Sequence, residues 1–293
     1  MVVSTVSARA APPNRSQAAT TASARIASIR VTRWRDRGIG GRPRHLLPSA
    51  PRRRLPCMSV IDSVRVLGAM ARITAPTLVD VVRGSVARSA IDERARWFGR
   101  RVIELLDIEL IATGADHVPA RPVIYMSNHQ SHLDIPILYA TLPSPTIRML
   151  GKAELFRIPL WGRGLRAAEF IEVDRSNHVR AVESIEQAAR LVRDGVSIYL
   201  APEGTRSLDG RIGVLKKGGF HLALGTGAPI VPVAIRGTID ILPRGGRVMR
   251  SGQRVAVQIG EPIDVAGRDL AGLMAQVSEF LVSKVENAAG IPR

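Results

Sequence analysis

The chain has 293 residues, and its 42 basic and 25 acidic side chains give a formal net charge of +17. This length suits one large domain, or one domain with a tail. Aromatic residues make up only 4% of the chain and are not interleaved with basic ones, which argues against nucleic-acid binding, and a single cysteine excludes an internal disulfide framework.

The basic excess is concentrated in residues 1–57, which hold twelve arginines and one acidic residue, Asp36. This segment is rich in Ala, Ser, Thr and Pro and has little apolar periodicity, so it is predicted to be a disordered tail. Its composition is typical of an organellar transit peptide. We favour instead a translation start at Met58, which would make residues 1–57 non-native, because a helical pattern begins directly after that residue.

From Val60 to Val82, apolar or small residues recur at helical spacing, and arginines occupy the adjoining stripe. The longest uncharged run, Ile73–Val79, is interrupted by Pro76 and is far shorter than the roughly 18 apolar residues that span a bilayer. Two interpretations stay open for this amphipathic helix. It docks on a membrane surface with its arginines towards anionic headgroups, or it packs on the domain in the ordinary way.

A second helix is predicted at Ile91–Leu106, so residues 58–106 form an N-terminal helical pair and residues 107–293 form the main domain. Strands are predicted in that domain near 108–113, 122–127, 147–151, 169–173, 197–201, 230–235 and 254–259. Helices are expected between them. This alternation predicts an α/β fold with a mixed, largely parallel sheet flanked by helices, and ligand sites beyond the strand ends.

The clearest helix within the domain is predicted at Val179–Asp194, because apolar residues recur there at helical spacing. Ser176 or Asn177 is its expected N-cap, and Gly195 is expected to end it. A last helix, predicted at Leu273–Val285, closes the domain.

The segment 128–134, Asn-His-Gln-Ser-His-Leu-Asp, directly follows the apolar run of the second strand in the domain. It places His129 five positions before Asp134. Imidazole can accept a proton from an alcohol near neutral pH when a carboxylate fixes its tautomer, so the pair suits an acid–base site. A helix starting around Ser131, with that residue as its N-cap, would bring the two side chains together. The alternative is a polar loop whose histidine only caps a turn.

A second polar segment, 202–207, follows the strand predicted near 197–201. Gly204 allows backbone N–H groups to approach a ligand, Thr205 offers a hydroxyl, and Arg206 presents a planar guanidinium suited to phosphate. The segment therefore predicts a phosphate or oxyanion site. Lys216 and Arg175 are further cations near strand ends, and for them a solvated surface charge is the alternative.

Four blocks of the sequence resemble, in order, those of the glycerophospholipid acyltransferases, and most closely the 1-acylglycerol-3-phosphate O-acyltransferases. The blocks are Asn128–Asp134, Val173–Arg175, Pro202–Ser207 and Ile230–Gly237. Two departures concern the substrate rather than the reaction: Ala201 stands where an aromatic residue is frequent, and Glu169-Phe170 where a glycine is common.

The resemblance implies a role for each of these residues. His129 would be the general base and Asp134 the residue that orients it. The acceptor phosphate would be bound by Arg175, Glu203, Gly204, Thr205 and Arg206. Asn128, Ser131, Lys152 and Lys216 are candidate supporting residues. Residues 107–293 would then be the acyltransferase domain, acting in phospholipid biosynthesis.

The implied donor is an acyl thioester, acyl-CoA or acyl carrier protein, with no further cofactor and no metal. A lysophospholipid, most directly 1-acylglycerol-3-phosphate, would accept the acyl group and give phosphatidic acid; another lysolipid or hydroxylated acceptor is the alternative. The sequence offers no covalent nucleophile, because Cys57 lies in another segment and a Gly-x-Ser-x-Gly elbow is absent. We therefore expect direct transfer.

Two other classes stay open from the residues alone. His132-Leu133-Asp134 begins like an iron facial triad, and His129 with His132 offers two zinc ligands, for which His221 would be the third. A basic protein that docks on anionic membranes without turnover is the other class. Peripheral attachment to the cytoplasmic face of a membrane is expected, and organellar targeting by residues 1–57 is a second possibility.

Overall fold

The computed structural model describes residues 29–30, 57–84, 86–174 and 178–287. The helices are α1 Val60–Val82, α2 Arg88–Leu105, α3 Asp134–Thr141, α4 Ala153–Phe156, α5 Trp161–Ala167, α6 His178–Arg193, α7 Gly218–Thr226, α8 Thr238–Ile241 and α9 Leu270–Val285, with a 3-10 turn at Ala115–His117. The strands are β1 Ile29–Arg30, β2 Cys57–Ser59, β3 Glu109–Thr113, β4 Ile124–Ser127, β5 Ile147–Lys152, β6 Ile171–Val173, β7 Ser197–Leu200, β8 Ile230–Arg236, β9 Met249–Ser251 and β10 Arg254–Ile259.

The main sheet has the strand order β1-β3-β10-β8-β4-β7-β5-β6. Pairings are parallel except at β1–β3 and β10–β8, and β2 and β9 form a separate antiparallel pair. This confirms the predicted mixed, largely parallel sheet flanked by helices. Since β4 lies between β7 and β8 and runs parallel to both, the loops that follow these three strands meet at one edge of the sheet.

The core lies on both faces of the sheet because β4, β7 and β8 are buried along almost their whole length. Tyr125 belongs to one cluster, with Val102 of α2 and Ile137 of α3. Its neighbour Ile124 belongs to the other, with residues of α6, α7 and α9 such as Phe220. Successive strand residues point to opposite faces, so a strand covered on both sides reads as a continuous apolar run.

The first helix of the N-terminal pair begins and ends as the sequence predicts. The Ser59 hydroxyl caps it by accepting the Asp62 N–H at 3.0 Å, and the helix continues through Pro76. One side of α1 is buried, whereas Val60, Ile61, Val64 and Leu67 are between 60 and 65% exposed. None of the helices in the described ranges combines the length and apolar character needed to cross a membrane.

Glu169 has a backbone φ of +60°, in the left-handed region that favours glycine. Arg88 of α2 donates to both of its carboxylate oxygens at 2.7 Å, and the guanidinium of the buried Arg148 lies 3.5 Å away. The hydrogen bond from Arg88 lowers the pKa of Glu169. Glu169 therefore has a backbone conformation that is unfavourable for a residue with a side chain, and two arginines contact that side chain.

Several predicted boundaries shift in the structure. The strand predicted from 169 begins at Ile171, and the helix predicted from Val179 begins at His178. Gly195 ends that helix as expected, with φ +86° and its N–H bonded to the carbonyl of Val192. The expected capping residues at 176 and 177 lie outside the described residues, as does the predicted tail apart from 29, 30 and 57.

Candidate active site

His129 and Asp134 come together at the carboxyl end of β4. The Nδ1 atom of His129 lies 2.8 Å from Oδ2 of Asp134, and the carboxylate is completely buried while the imidazole is 21% exposed. Because an ionised carboxylate only accepts hydrogen bonds, we assign the proton of this bond to Nδ1, which leaves the lone pair of the neutral ring on Nε2. Such an arrangement can act chemically as an oriented general base.

Asp134 is held by three further donors. Its Oδ2 accepts the backbone N–H groups of Gln130 at 2.8 Å and Ser131 at 3.0 Å, and its Oδ1 accepts the hydroxyl of Thr238 at 2.6 Å. Both oxygens are therefore engaged, and the side chain is fixed in one orientation towards His129.

The prediction that Ser131 caps a helix is wrong. Helix α3 begins at Asp134, and the Ser131 hydroxyl instead donates to the carbonyl of Leu242 at 2.8 Å and accepts the N–H of Leu133. The physical reason is the carboxylate of Asp134, which binds the N–H groups of residues 130 and 131 and holds them in a turn ahead of the helix.

Asn128 fixes the start of the turn to β8. Its side-chain oxygen accepts the N–H of Ile235 and its side-chain nitrogen donates to the carbonyl of Ile235, both at 2.8 Å. The side chain thus continues the β4–β8 ladder one residue beyond Ser127, and His129 follows from a rigid base.

Glu203 connects the two polar segments. Its Oε1 accepts the backbone N–H of His129 and its Oε2 accepts that of Gly213, both at 2.9 Å. The side chain is buried, and burial raises its pKa although the two N–H groups act in the opposite direction. Both carboxylate oxygens accept backbone N–H groups, so Glu203 holds the backbone at His129 and the backbone at Gly213 together.

Arg206 lies on the loop after β7, close to the histidine–aspartate pair. Burial of the His132 ring lowers the pKa of this histidine. The charges of Arg206 and His129 act in the same direction. In the part of the chain that the structure describes, no carboxylate is paired with the Arg206 guanidinium. Gly204 adopts φ +76° in the turn before it, which only glycine adopts readily.

The other predicted residues lie further out. Thr205 and Lys216 are exposed, and Lys216 binds the carbonyl of Pro202 only through its backbone N–H. Lys152 ends β5, two strands from β4 on the same sheet edge, and its ammonium pairs with Glu154 at 2.8 Å. Arg175 lies outside the described residues.

Thr238 is the residue that sequence reasoning missed. It begins α8 after Gly237, whose φ of +90° and close approach to the Arg254 carbonyl exclude a side chain there. The available signal was a hydroxyl residue directly after the glycine that ends the fourth block. A cluster of three or more His, Cys, Asp or Glu side chains that would hold a metal is not found among the described residues.

Known proteins resemble the chain over this same region. The model of the Acyltransferase family matches residues 109–236. The 1-acyl-sn-glycerol-3-phosphate acyltransferase of Haemophilus influenzae is 30% identical over 200 residues, which cover 66% of this chain and 81% of that protein. That of Borreliella burgdorferi is 32% identical over 186 residues, or 62% and 74%.

A chloroplastic 1-acyl-sn-glycerol-3-phosphate acyltransferase from Brassica napus is 35% identical over 159 residues, 54% of this chain and 46% of its own length. The chain thus spans about half the length of such plant relatives. The crystal structure of a 1-acyl-sn-glycerophosphate acyltransferase from Thermotoga maritima aligns with a TM-score of 0.66 and 26% identity, covering 80% of this chain and 98% of that one.

Proposed function

The chain belongs to the acyltransferase family, and on this premise we propose that it moves a fatty acyl group from an acyl thioester to the hydroxyl of a lysophospholipid. The acceptor that its relatives' names support is 1-acylglycerol-3-phosphate, with phosphatidic acid as the product. The single observation that carries the proposal is the imidazole of His129, bonded through Nδ1 to a fully buried carboxylate.

In the proposed reaction, Nε2 of His129 accepts the proton of the acceptor hydroxyl as its oxygen attacks the thioester carbonyl carbon. The carbon–sulfur bond then breaks, and the departing thiolate takes the proton from the imidazolium. Asp134 stabilises the imidazolium between these steps. General-base assistance of this kind contributes roughly 10²- to 10⁴-fold. The thioester is already activated, so the chain's own groups suffice without a cofactor.

Arg206 is the proposed ligand of the acceptor phosphate. It is the one cation of the second polar segment, 202–207, and it has no protein carboxylate as a partner among the described residues. Glu203 would act indirectly, by tying the backbone of His129 to the loop that carries Arg206 and Gly213. The exposed Lys216, Thr205 and Lys152 would act as outer contacts.

We also propose that α1 attaches the protein peripherally to a membrane surface. The exposed side of this helix carries a continuous apolar stripe, Val60, Ile61, Val64, Leu67, Ala71, Ala75 and Val82. Arg65 and Arg72 lie beside it, where they would meet anionic headgroups. A membrane-bound lysolipid would then reach the site without leaving the bilayer surface.

The test of the reaction uses the purified full chain with lysophosphatidate and the same acyl group carried on CoA or on acyl carrier protein. Thiol release and phosphatidate formation, read by mass spectrometry, are expected together, and a panel of other lysolipids defines the acceptor. His129→Ala should abolish most of the transfer, whereas the matched control His221→Ala, an exposed histidine on α7, should not. Vesicle binding without thiol release from either donor would show a binding protein instead.

The test of attachment compares sedimentation with anionic and zwitterionic vesicles. Leu67→Asp, a change on the exposed stripe of α1, should weaken sedimentation with both vesicle types. Unchanged sedimentation of this variant would remove α1 as the membrane contact.

A further inference from the structure

A second guanidinium lies beside Arg206. Arg244, on the loop after α8, donates from Nη1 to the backbone carbonyl of Arg206 at 3.2 Å. The two side chains come from loops that follow the strands on either side of β4. The Arg206 loop follows β7, and the Arg244 loop follows β8 and the helix whose first residue, Thr238, binds Asp134.

Neither of the two cations has a protein counter-ion in the described part of the chain. Within the described residues, no carboxylate is paired with either guanidinium. Burial, and after it the charge of Arg244, lowers the pKa of Arg206, whereas the charge of Asp134 acts in the opposite direction. Like charges held side by side are unfavourable in the free protein, and an anion between them removes that repulsion.

We propose that Arg244 is a second ligand of the acceptor phosphate, forming with Arg206 a two-arginine site for a phosphomonoester. This inference rests on the proposed function and extends it to substrate choice. A phosphomonoester carries close to two negative charges at neutral pH and has three terminal oxygens, so it can engage two guanidinium groups at once. A phosphodiester lysolipid has one charge and two terminal oxygens, and it fits such a pair less well.

The decisive variants are Arg244→Ala, Arg244→Gln and Arg244→Lys, with Arg247→Ala as the matched control. Arg247 lies three residues further along the same loop and is also exposed. Glutamine keeps an N–H donor for the Arg206 carbonyl but loses the charge, whereas lysine keeps the charge. The comparison therefore separates a role in phosphate binding from a role in holding the loop.

We expect Arg244→Ala and Arg244→Gln to lower kcat/KM for lysophosphatidate by about ten- to a hundredfold, with little change in the donor KM. Lysine should restore part of the loss, and Arg247→Ala should behave like the unaltered protein. With an uncharged monoacylglycerol acceptor, the Arg244 variants and the unaltered protein should have similar kcat/KM values. The double variant with Arg206→Ala should lose less than the product of the single losses, because both residues act on one phosphate.

Three results would overturn the inference: activity of Arg244→Gln equal to that of the unaltered protein, an equal loss for phosphorylated and uncharged acceptors, or a defect confined to the donor. The last result would assign the pair to phosphates of the donor. Titration calorimetry with lysophosphatidate below its critical micelle concentration compares the binding affinities of the same variants without turnover. A chain that binds lysophosphatidate through Arg244 but transfers no acyl group would refute the proposed function and leave this inference standing.

Discussion

Thr238→Val removes one hydroxyl from the support of the buried carboxylate and keeps the shape of the side chain. The hydroxyl donates to Oδ1 of Asp134 at 2.6 Å, and both residues are completely buried. A hydrogen bond to a charged group contributes about 1.5–3 kcal/mol, and a buried acceptor left without a donor costs a similar amount. We therefore expect the free energy of unfolding to fall by about 2 kcal/mol.

The same change should lower kcat about tenfold with little effect on either KM, because in the proposed mechanism Asp134 acts only through the orientation of His129. Thr238→Ser keeps the hydroxyl and should restore most of the turnover, although it loses a buried methyl group. Denaturant unfolding and steady-state kinetics on the three proteins test both parts. Normal kcat in a folded Thr238→Val protein, or a serine variant as impaired as the valine variant, would refute the positioning role.

Four further outcomes are expected. His129→Ala and Asp134→Asn should each abolish most of the transfer while the far-ultraviolet circular dichroism stays unchanged; near-normal turnover in either would remove the proposed base or its orienting residue. Arg206→Ala should lower acceptor kcat/KM by about ten- to a hundredfold and leave the donor KM nearly unchanged, and the reverse pattern would assign it to the donor. Burial raises the pKa of Glu203 above its usual 4.5, so the native state holds this proton more tightly than the unfolded state does, and stability falls as pH rises from 4.5 to the raised value. Glu203→Gln should flatten that part of the stability curve, as measured by unfolding in denaturant between pH 4 and 7, and an unchanged slope would contradict the assignment. Deletion of residues 1–57 should leave specific activity unchanged, and a large loss in a folded protein would show that the segment belongs to the working enzyme.

The elements that the sequence predicts well are those with a strong local pattern. Helix α1 has the predicted bounds because the Ser59 cap and the apolar spacing are both local signals. The strands β4, β7 and β8 were predicted because burial on both faces produces apolar runs. The positions of His129 and Asp134 after β4 followed from the same reasoning.

The contacts that the sequence did not predict join distant residues. Thr238 lies 104 positions from Asp134, and the two meet only because β8 pairs with β4. The start of α3 is misplaced for a related reason: the carboxylate of Asp134 binds the N–H groups of residues 130 and 131 and holds that part of the chain in a turn ahead of the helix. The proximity of Arg244 to Arg206 likewise depends on the strand order, which periodicity does not reveal.

The two bonds between Asn128 and Ile235 have a consequence for motion. They tie the backbone just before His129 to β8, so displacing that backbone requires the β4–β8 strand pair to open. Such opening has a free energy near that of global unfolding, whereas the surface loops open at far lower cost. We therefore expect any motion on substrate entry and product release to occur in the loops around Arg206 and Arg244, while the β4–β8 pair stays in place. In amide hydrogen exchange, the Ile235 N–H should be among the slowest to exchange, and it should remain so when substrate is bound.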